Sequence, residues 1–227
     1  MTTTRRERQR AATIDEIKTA ALDLIAREGA AALSIRGVAR AIDMSPAGLY
    51  RYYDGLDSLI TELITDAYND LADHVAAAAQ RDGSTRDRLI AAMMGYRQWS
   101  IDHPNRFLLL FGTPIPGYAA PEGGPTVEAN RRVGETFFRL GVRSWNEGDL
   151  AVSPASRPME PGEVELAGLL GPGFPPEAVS AFISMWAHFH GLVSLEVLNQ
   201  LHWIYPDPER FYRSETERLV DRLRGAS

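Results

Sequence analysis

A chain of 227 residues, 44% of them hydrophobic, is long enough to bury a sizeable core and suits one large domain or a small one joined to a larger one. It has no cysteine, which excludes disulfides, thiolate chemistry and sulfur-ligated zinc, and no apolar signal core or run of about 18 apolar residues that would export it or carry it across a membrane. The net charge of −6 speaks against a nucleic-acid partner until it is located: residues 1–60 hold nine Lys or Arg against eight Asp or Glu, so the acidic excess lies beyond them.

Arg5, Arg6, Arg8 and Arg10, opposed only by Glu7, form a short basic arm, which reads equally as a DNA contact or as solvated N-terminal sequence. Thr13 and Glu16 read as a capping box before Ile14, Ile17, Ala21, Leu24 and Ile25, whose spacing predicts a first helix to about Glu28, stopped by Gly29. Ser34 is positioned to cap a second helix burying Ile35, Val38, Ala39 and Ile42. Asp43 and Met44 make a tight turn, after which Ser45 and Pro46, a cap residue followed by proline at the first helical position, start a short third helix to about Tyr52. After Gly55 a long fourth helix carries Leu59, Ile60, Leu63, Ile64, Ala67, Leu71 and Val75 on one face.

Further helices are predicted over 84–101, 104–111, 126–147 and around 164–170, then over Glu177 to His202 and over Pro208 to Arg224, the last capped by Asp207. The stretch GTPIPGYAAPEGGP at 112–125 cannot sustain a helix, and no period of two suggests a strand. The fold class is therefore all-α with about nine helices, in an N-terminal three-helix domain over 10–70 and a larger C-terminal helical domain over 84–224.

Two short helices joined by a three-residue turn are the layout of a helix-turn-helix. A helix fits the major groove, with its N-terminal amides meeting phosphate and its first side chains facing base edges. The segment SIRGVARAIDMSPAGLYRYYDGLDSLI closely resembles the DNA-binding motif of TetR-family regulators, through Ser34, Arg36, Ala39, Ser45, Leu49, Tyr50, Tyr52 and Tyr53. The resemblance implies that Ser34 caps helix two and touches phosphate, and that Arg36 reaches the backbone or a base edge. It makes Ser45, Pro46, Ala47 and Gly48 the opening of the recognition helix, with small side chains that let it sit close to the groove. Tyr50 and Tyr52 then donate to phosphate, Arg51 reads guanine or clamps the backbone, and Leu49 and Tyr53 point inward. Two positions depart from the pattern: Asp43 stands where the family usually has glycine, and Leu56 where it usually has lysine. Asp tolerates the left-handed conformation, whereas Leu56 costs one phosphate contact and about one unit of salt dependence.

The stretches YRQWSIDHPNRFLLLFGTPIPGYAAP and MWAHFHGLVSLEVLNQL resemble the regulator subgroup whose effector domain is named for its Trp-His-Gly positions, here Trp186, His190 and Gly191. A broad apolar band of Phe182, Ile183, Trp186, Phe189, Val193, Val197 and Leu201, with Leu219 and Leu223, predicts a homodimer through the last two helices, which would present two recognition helices to a palindromic operator in double-stranded DNA. Intrachain core is the alternative reading of that band. Met93, Tyr96, Trp99, Phe107, Phe111, Phe137, Trp145, Trp186 and His190 supply surface for a pocket that would take an apolar or aromatic effector, although each also suits plain core.

An enzyme is the competing class. His188 and His190 are two apart and so on nearly opposite faces of a helix, and no Glu-x-x-His, His-Glu-x-x-His, phosphate-binding glycine loop or Gly-x-Ser-x-Gly occurs. No metal, cofactor or catalytic residue is therefore expected, and a cytoplasmic, ligand-responsive repressor is the favoured reading. A helical interaction module that has lost DNA binding is a third possibility, given Leu56.

Overall fold

The computed structural model describes residues 4–151 and 157–223. Among them are ten α-helices, one 3-10 turn at Ala30–Ala32 and no strand: α1 Arg5–Glu28, α2 Ile35–Ala41, α3 Pro46–Leu49, α4 Leu56–Ala78, α5 Thr85–Asp102, α6 Pro104–Phe111, α7 Pro125–Asn146, α8 Pro161–Leu170, α9 Pro176–Val197 and α10 Pro208–Leu223. The all-α expectation holds. The expected end of the last helix at Arg224 lies outside the described residues.

Three boundaries differ from the sequence reading. The helix expected from Thr13 begins at Arg5, where Thr4 and Glu7 form the capping box; the Thr13 hydroxyl instead donates to the Gln9 carbonyl at 3.0 Å within the helix. The apolar stripe marks only where α1 has a core to face, and nothing in RRERQRAA breaks a helix before that. The recognition helix is shorter than expected, Pro46–Leu49, and runs on as 3-10 geometry, with Arg51 N donating to the Gly48 carbonyl at 3.3 Å and Tyr52 N to that of Leu49 at 2.9 Å. Helix α9 stops at Val197 because Asn199 adopts φ 57°. Asn199 N then donates to Glu196 O at 2.9 Å and Gln200 N to Leu195 O at 2.8 Å, a Schellman ending with asparagine in the glycine position.

The described chain forms two compact units, Met1–Asp70 with His103–Arg131 and Leu71–Asp102 with Arg132–Ser227. The first is built on Ile17, Ala21, Leu24, Val38, Ala39, Leu49, Leu59, Ile60 and Leu63 from α1 to α4. Residues 103–131, which the sequence reading groups with the C-terminal portion, pack into this unit: Leu109 of α6 joins its core, Tyr118 bonds Thr61 through their hydroxyls at 3.0 Å, and Arg106 pairs with Asp70 at 2.5 Å. Lys18 of α1 holds Glu62 and Asp66 of α4 at 2.5 and 2.6 Å.

In the second unit α5 is buried on almost every side, through Leu89, Ile90, Ala92, Met93, Tyr96 and Trp99. Among the described residues α9 is the one helix long and apolar enough to cross a bilayer by length and composition alone, yet its Phe182, Met185, Phe189 and Val193 are buried and it packs on α5, α8 and α10. Phe182, Phe189 and Val193 of the band expected to face a second copy are thus covered within the unit, as are Leu219 and Leu223, while Trp186, Val197 and Leu201 are half-buried. Ile183, Leu195 and Leu198 stay exposed.

Candidate functional site

The local chemistry of residues 34–53 sets the geometry of the helix-turn-helix. Ser34 Oγ accepts from Gly37 N at 3.1 Å and Ser45 Oγ from Gly48 N at 3.0 Å, so both helices begin with a side-chain cap, the second with Pro46 at its first position. Between them Asp43 adopts φ 52°, and Met44 N reaches back to the Ala39 carbonyl at 2.9 Å. The aspartate therefore does what glycine usually does at a helix end.

These constraints sort the predicted residues by face. Ser34, Arg36, Ser45, Pro46, Ala47, Tyr50 and Arg51 are exposed, Tyr50 at 54% of its surface, while Tyr52 is half-buried. Leu49 and Tyr53 are buried at 0% and 4%, pointing inward as expected. Gly48 is turned inward as well: a Cβ there would stand 2.9 Å from Met44 Cγ, so the missing side chain serves the packing of turn against helix. Behind this face the Tyr53 hydroxyl is pushed well above the ordinary phenol range by burial and by the negative charge of Glu62, Asp66 and Asp15. Lys18 is half-buried at a cost to its ammonium, but hydrogen bonds to Asp66 and Glu62 outweigh that cost and raise its pKa.

Sequence reasoning missed Arg10 as a neighbour of this site. Its guanidinium lies 5.0 Å from the centre of the Tyr52 ring, and Nη1 donates to the Arg51 carbonyl at 3.4 Å. The available signal was spacing: Arg10 lies two turns before Ile17, on the face that Ile17 buries.

The nine aromatic and soft residues proposed as a pocket are only partly brought together. Tyr96, Phe137, Trp186 and His190 meet in the second unit: the Tyr96 hydroxyl is 2.7 Å from His190 Nδ1, Trp186 stacks on His190 at 5.2 Å, and Phe137 lies 6.5 Å from Trp186. Met93 and Trp99 are fully buried on the same helix as Tyr96. Trp145 packs edge-on against Phe174 at 6.4 Å, and Phe107 and Phe111 belong to the first unit, where Phe111 meets Tyr68. Burial lowers the His190 pKa, which favours the neutral form of the ring that is hydrogen-bonded to Tyr96. Among the described residues no group of three or more His, Cys, Asp or Glu is placed to hold a metal ion.

Comparison with known proteins bears on both units. Residues 17–63 match the family described as bacterial regulatory proteins, tetR family, and residues 89–219 match the tetracyclin repressor-like C-terminal domain. The chain is 35% identical over 204 residues to the HTH-type transcriptional regulators Rv1816 of Mycobacterium tuberculosis and Mb1846 of Mycobacterium bovis, covering 85% of this chain and 84% of each relative. A crystal structure of the regulatory protein SCO4313 superposes with a TM-score of 0.74 at 33% identity, covering 95% of this chain and 98% of the other. The TetR-family regulator PfmR of Thermus thermophilus shares the fold, with a TM-score of 0.61 at 16% identity over 90% of this chain and 96% of its own.

Proposed function

Because the chain belongs to the TetR family of bacterial regulatory proteins and is a DNA-binding transcriptional regulator, we propose that it acts as a homodimeric repressor released from a palindromic operator by a small apolar or aromatic effector. One observation carries the reading: the capped helix beginning at Ser45 turns Ser45, Pro46, Ala47, Tyr50 and Arg51 outward while Leu49 and Tyr53 anchor it. In this reading Ser34, Tyr50 and Tyr52 bond phosphate, Arg36 and Arg51 reach phosphate or a base edge, and the small residues 45–47 allow close approach to the major groove. Gly48 contributes through its packing on Met44.

A two-fold partner is required to read two half-sites about 34 to 36 Å apart. The exposed Ile183, Leu195 and Leu198 of the α9 region, with Trp203 and Ile204 just beyond it, offer apolar surface for it. The Tyr96–His190 pair, set among Trp186, Phe137 and Phe189, is a polar spot in an aromatic wall and suits an effector with one or two polar groups. An effector regulates only through unequal affinity for the two states; coupling of about 1 to 3 kcal/mol changes operator affinity by about 5- to 150-fold. No catalytic step, metal, cofactor or membrane enters this reading, and its setting is the cytoplasm.

The test is selection of bound duplexes from a random DNA pool, followed by a screen for compounds that release the selected sequence. A palindromic consensus is expected, with Tyr50→Phe and Arg36→Ala weakening its binding. A chain that prefers no duplex over random sequence would overturn the reading.

A further inference from the structure

We propose that the first turns of α1 belong to the DNA interface, with Arg6 and Arg10 forming a phosphate clamp beside the recognition helix; the inference rests on the DNA-binding reading of the helix-turn-helix. The tetR-family match begins at residue 17, whereas α1 begins at Arg5, so three helical turns of this chain precede the matched segment. Those turns are continuous with the anchored part of α1. Ile17, Ala21 and Leu24 are buried on one face of α1, and stepping back along that face by three or four residues reaches Thr13 and Ile14, both half-buried, then Arg10 and Arg6.

At Ile17 this face meets the core of the first unit, and at Arg10 it meets the end of the recognition segment instead. The Arg10 guanidinium lies 5.0 Å from the centre of the Tyr52 ring and bonds the Arg51 carbonyl at 3.4 Å. Tyr52 adjoins the exposed Tyr50 and Arg51, so the guanidinium is held at the edge of the surface that faces the duplex. Stacking on an aromatic ring orients the planar fork of an arginine, and the carbonyl bond uses one of its five N–H donors. A stacked, partly committed guanidinium is well suited to grip a phosphate oxygen pair.

Arg6 is exposed one turn, about 6 Å, further along the axis on the same face. Glu7 is the one acid between Arg5 and Arg10, and it is committed to the helix cap: Thr4 N donates to Glu7 Oε2 at 2.7 Å, and Glu7 N to Thr4 Oγ1 at 3.2 Å. The pair Arg6 and Arg10 thus presents two cations beyond the end of the recognition helix, where a duplex seated on it continues its backbone.

The experiment uses the full chain and the duplex it selects from a random pool, with affinity measured from about 50 to 200 mM salt for wild type, Arg6→Ala, Arg10→Ala and Arg10→Lys. A phosphate clamp predicts that each alanine variant weakens selected and unrelated duplexes alike and lowers the salt slope by about one unit per bound subunit, while Arg10→Lys keeps the slope. An unchanged slope for Arg6→Ala, or an Arg10→Lys variant that behaves like Arg10→Ala, overturns the clamp; the latter leaves Arg10 as a prop for Tyr52. If Arg36→Ala and Tyr50→Phe weaken binding while the α1 variants keep the wild-type slope, only this inference falls. If wild type selects no duplex, both readings fall.

Discussion

Gly95 of α5 approaches Ala78 of α4 so closely that a Cβ built on the glycine would stand 2.6 Å from the alanine methyl. No pair of real side-chain carbons sits that near, so Gly95→Ala must push the two helices apart. The expected cost is about 1 to 3 kcal/mol, the usual penalty for overpacking. Moving the methyl rather than adding one restores the fit: the double variant Gly95→Ala, Ala78→Gly should recover most of the loss in urea unfolding. A double variant no more stable than Gly95→Ala alone would refute the contact as the limiting one.

The Tyr96 hydroxyl is hydrogen-bonded to Nδ1 of a His190 ring that burial keeps below its ordinary pKa of 6.5. A depressed folded pKa means the unfolded chain takes up the proton first on acidification. The contribution is therefore complete above about pH 6.5 and is lost as pH falls through the window beneath it, levelling once the folded ring also titrates. Wild type should melt higher than His190→Gln at about pH 7.5, and the difference should shrink towards about pH 5 because only wild type carries the titrating group. A difference that stays constant across this range would remove His190 from the account.

Arg97 and Glu196 form a bidentate pair, Nε to Oε2 at 2.8 Å and Nη2 to Oε1 at 2.5 Å, with side chains only 6% and 13% exposed. The guanidinium also lies 5.6 Å from the Tyr212 ring centre, so a single residue links α5, α9 and α10. Removing one partner strands a buried charge. Glu196→Leu alone should cost about 3 to 5 kcal/mol, whereas Arg97→Met combined with Glu196→Leu should cost far less than the two single changes added together. Chemical denaturation of the four proteins in that cycle gives the answer, and additive losses would show that the charges do not act as a pair.

The helix-turn-helix was legible because its boundaries are written in local side-chain chemistry: Ser34 and Ser45 cap the backbone amides of the helices they open, Pro46 suits the first helical position, and Asp43 tolerates the turn. The start of α1 was hidden because an amphipathic stripe reports where a core exists, and Arg5 to Ala12 form a helix without one. Asn199 ended α9 in a role more often filled by glycine, so periodicity alone carried the expected helix past it to His202. Aromatic spacing reported burial but not partners. Tyr96 and His190 meet across 94 positions, while Phe107 and Phe111 go to the other unit, and of the Arg10–Tyr52 stack the sequence shows only that Arg10 shares the face of Ile17, not which ring it meets.

Leu56 tests how DNA affinity is traded against packing. It opens α4 where the resembling pattern carries lysine, and its half-buried side chain packs against the core of the first unit. Leu56→Lys should lose part of that burial, up to about 1.5 kcal/mol since only a portion of the side chain leaves the core and the lysine stem covers some of the same surface. In exchange the ammonium stands at the start of the helix after the recognition segment, and the salt slope of operator binding should steepen by about one unit per bound subunit. The two readouts separate the causes, because melting reports the packing and the slope reports the phosphate. A variant that melts lower without any change in slope would mean that the start of α4 does not reach the duplex, and that Leu56 is in place purely for the core.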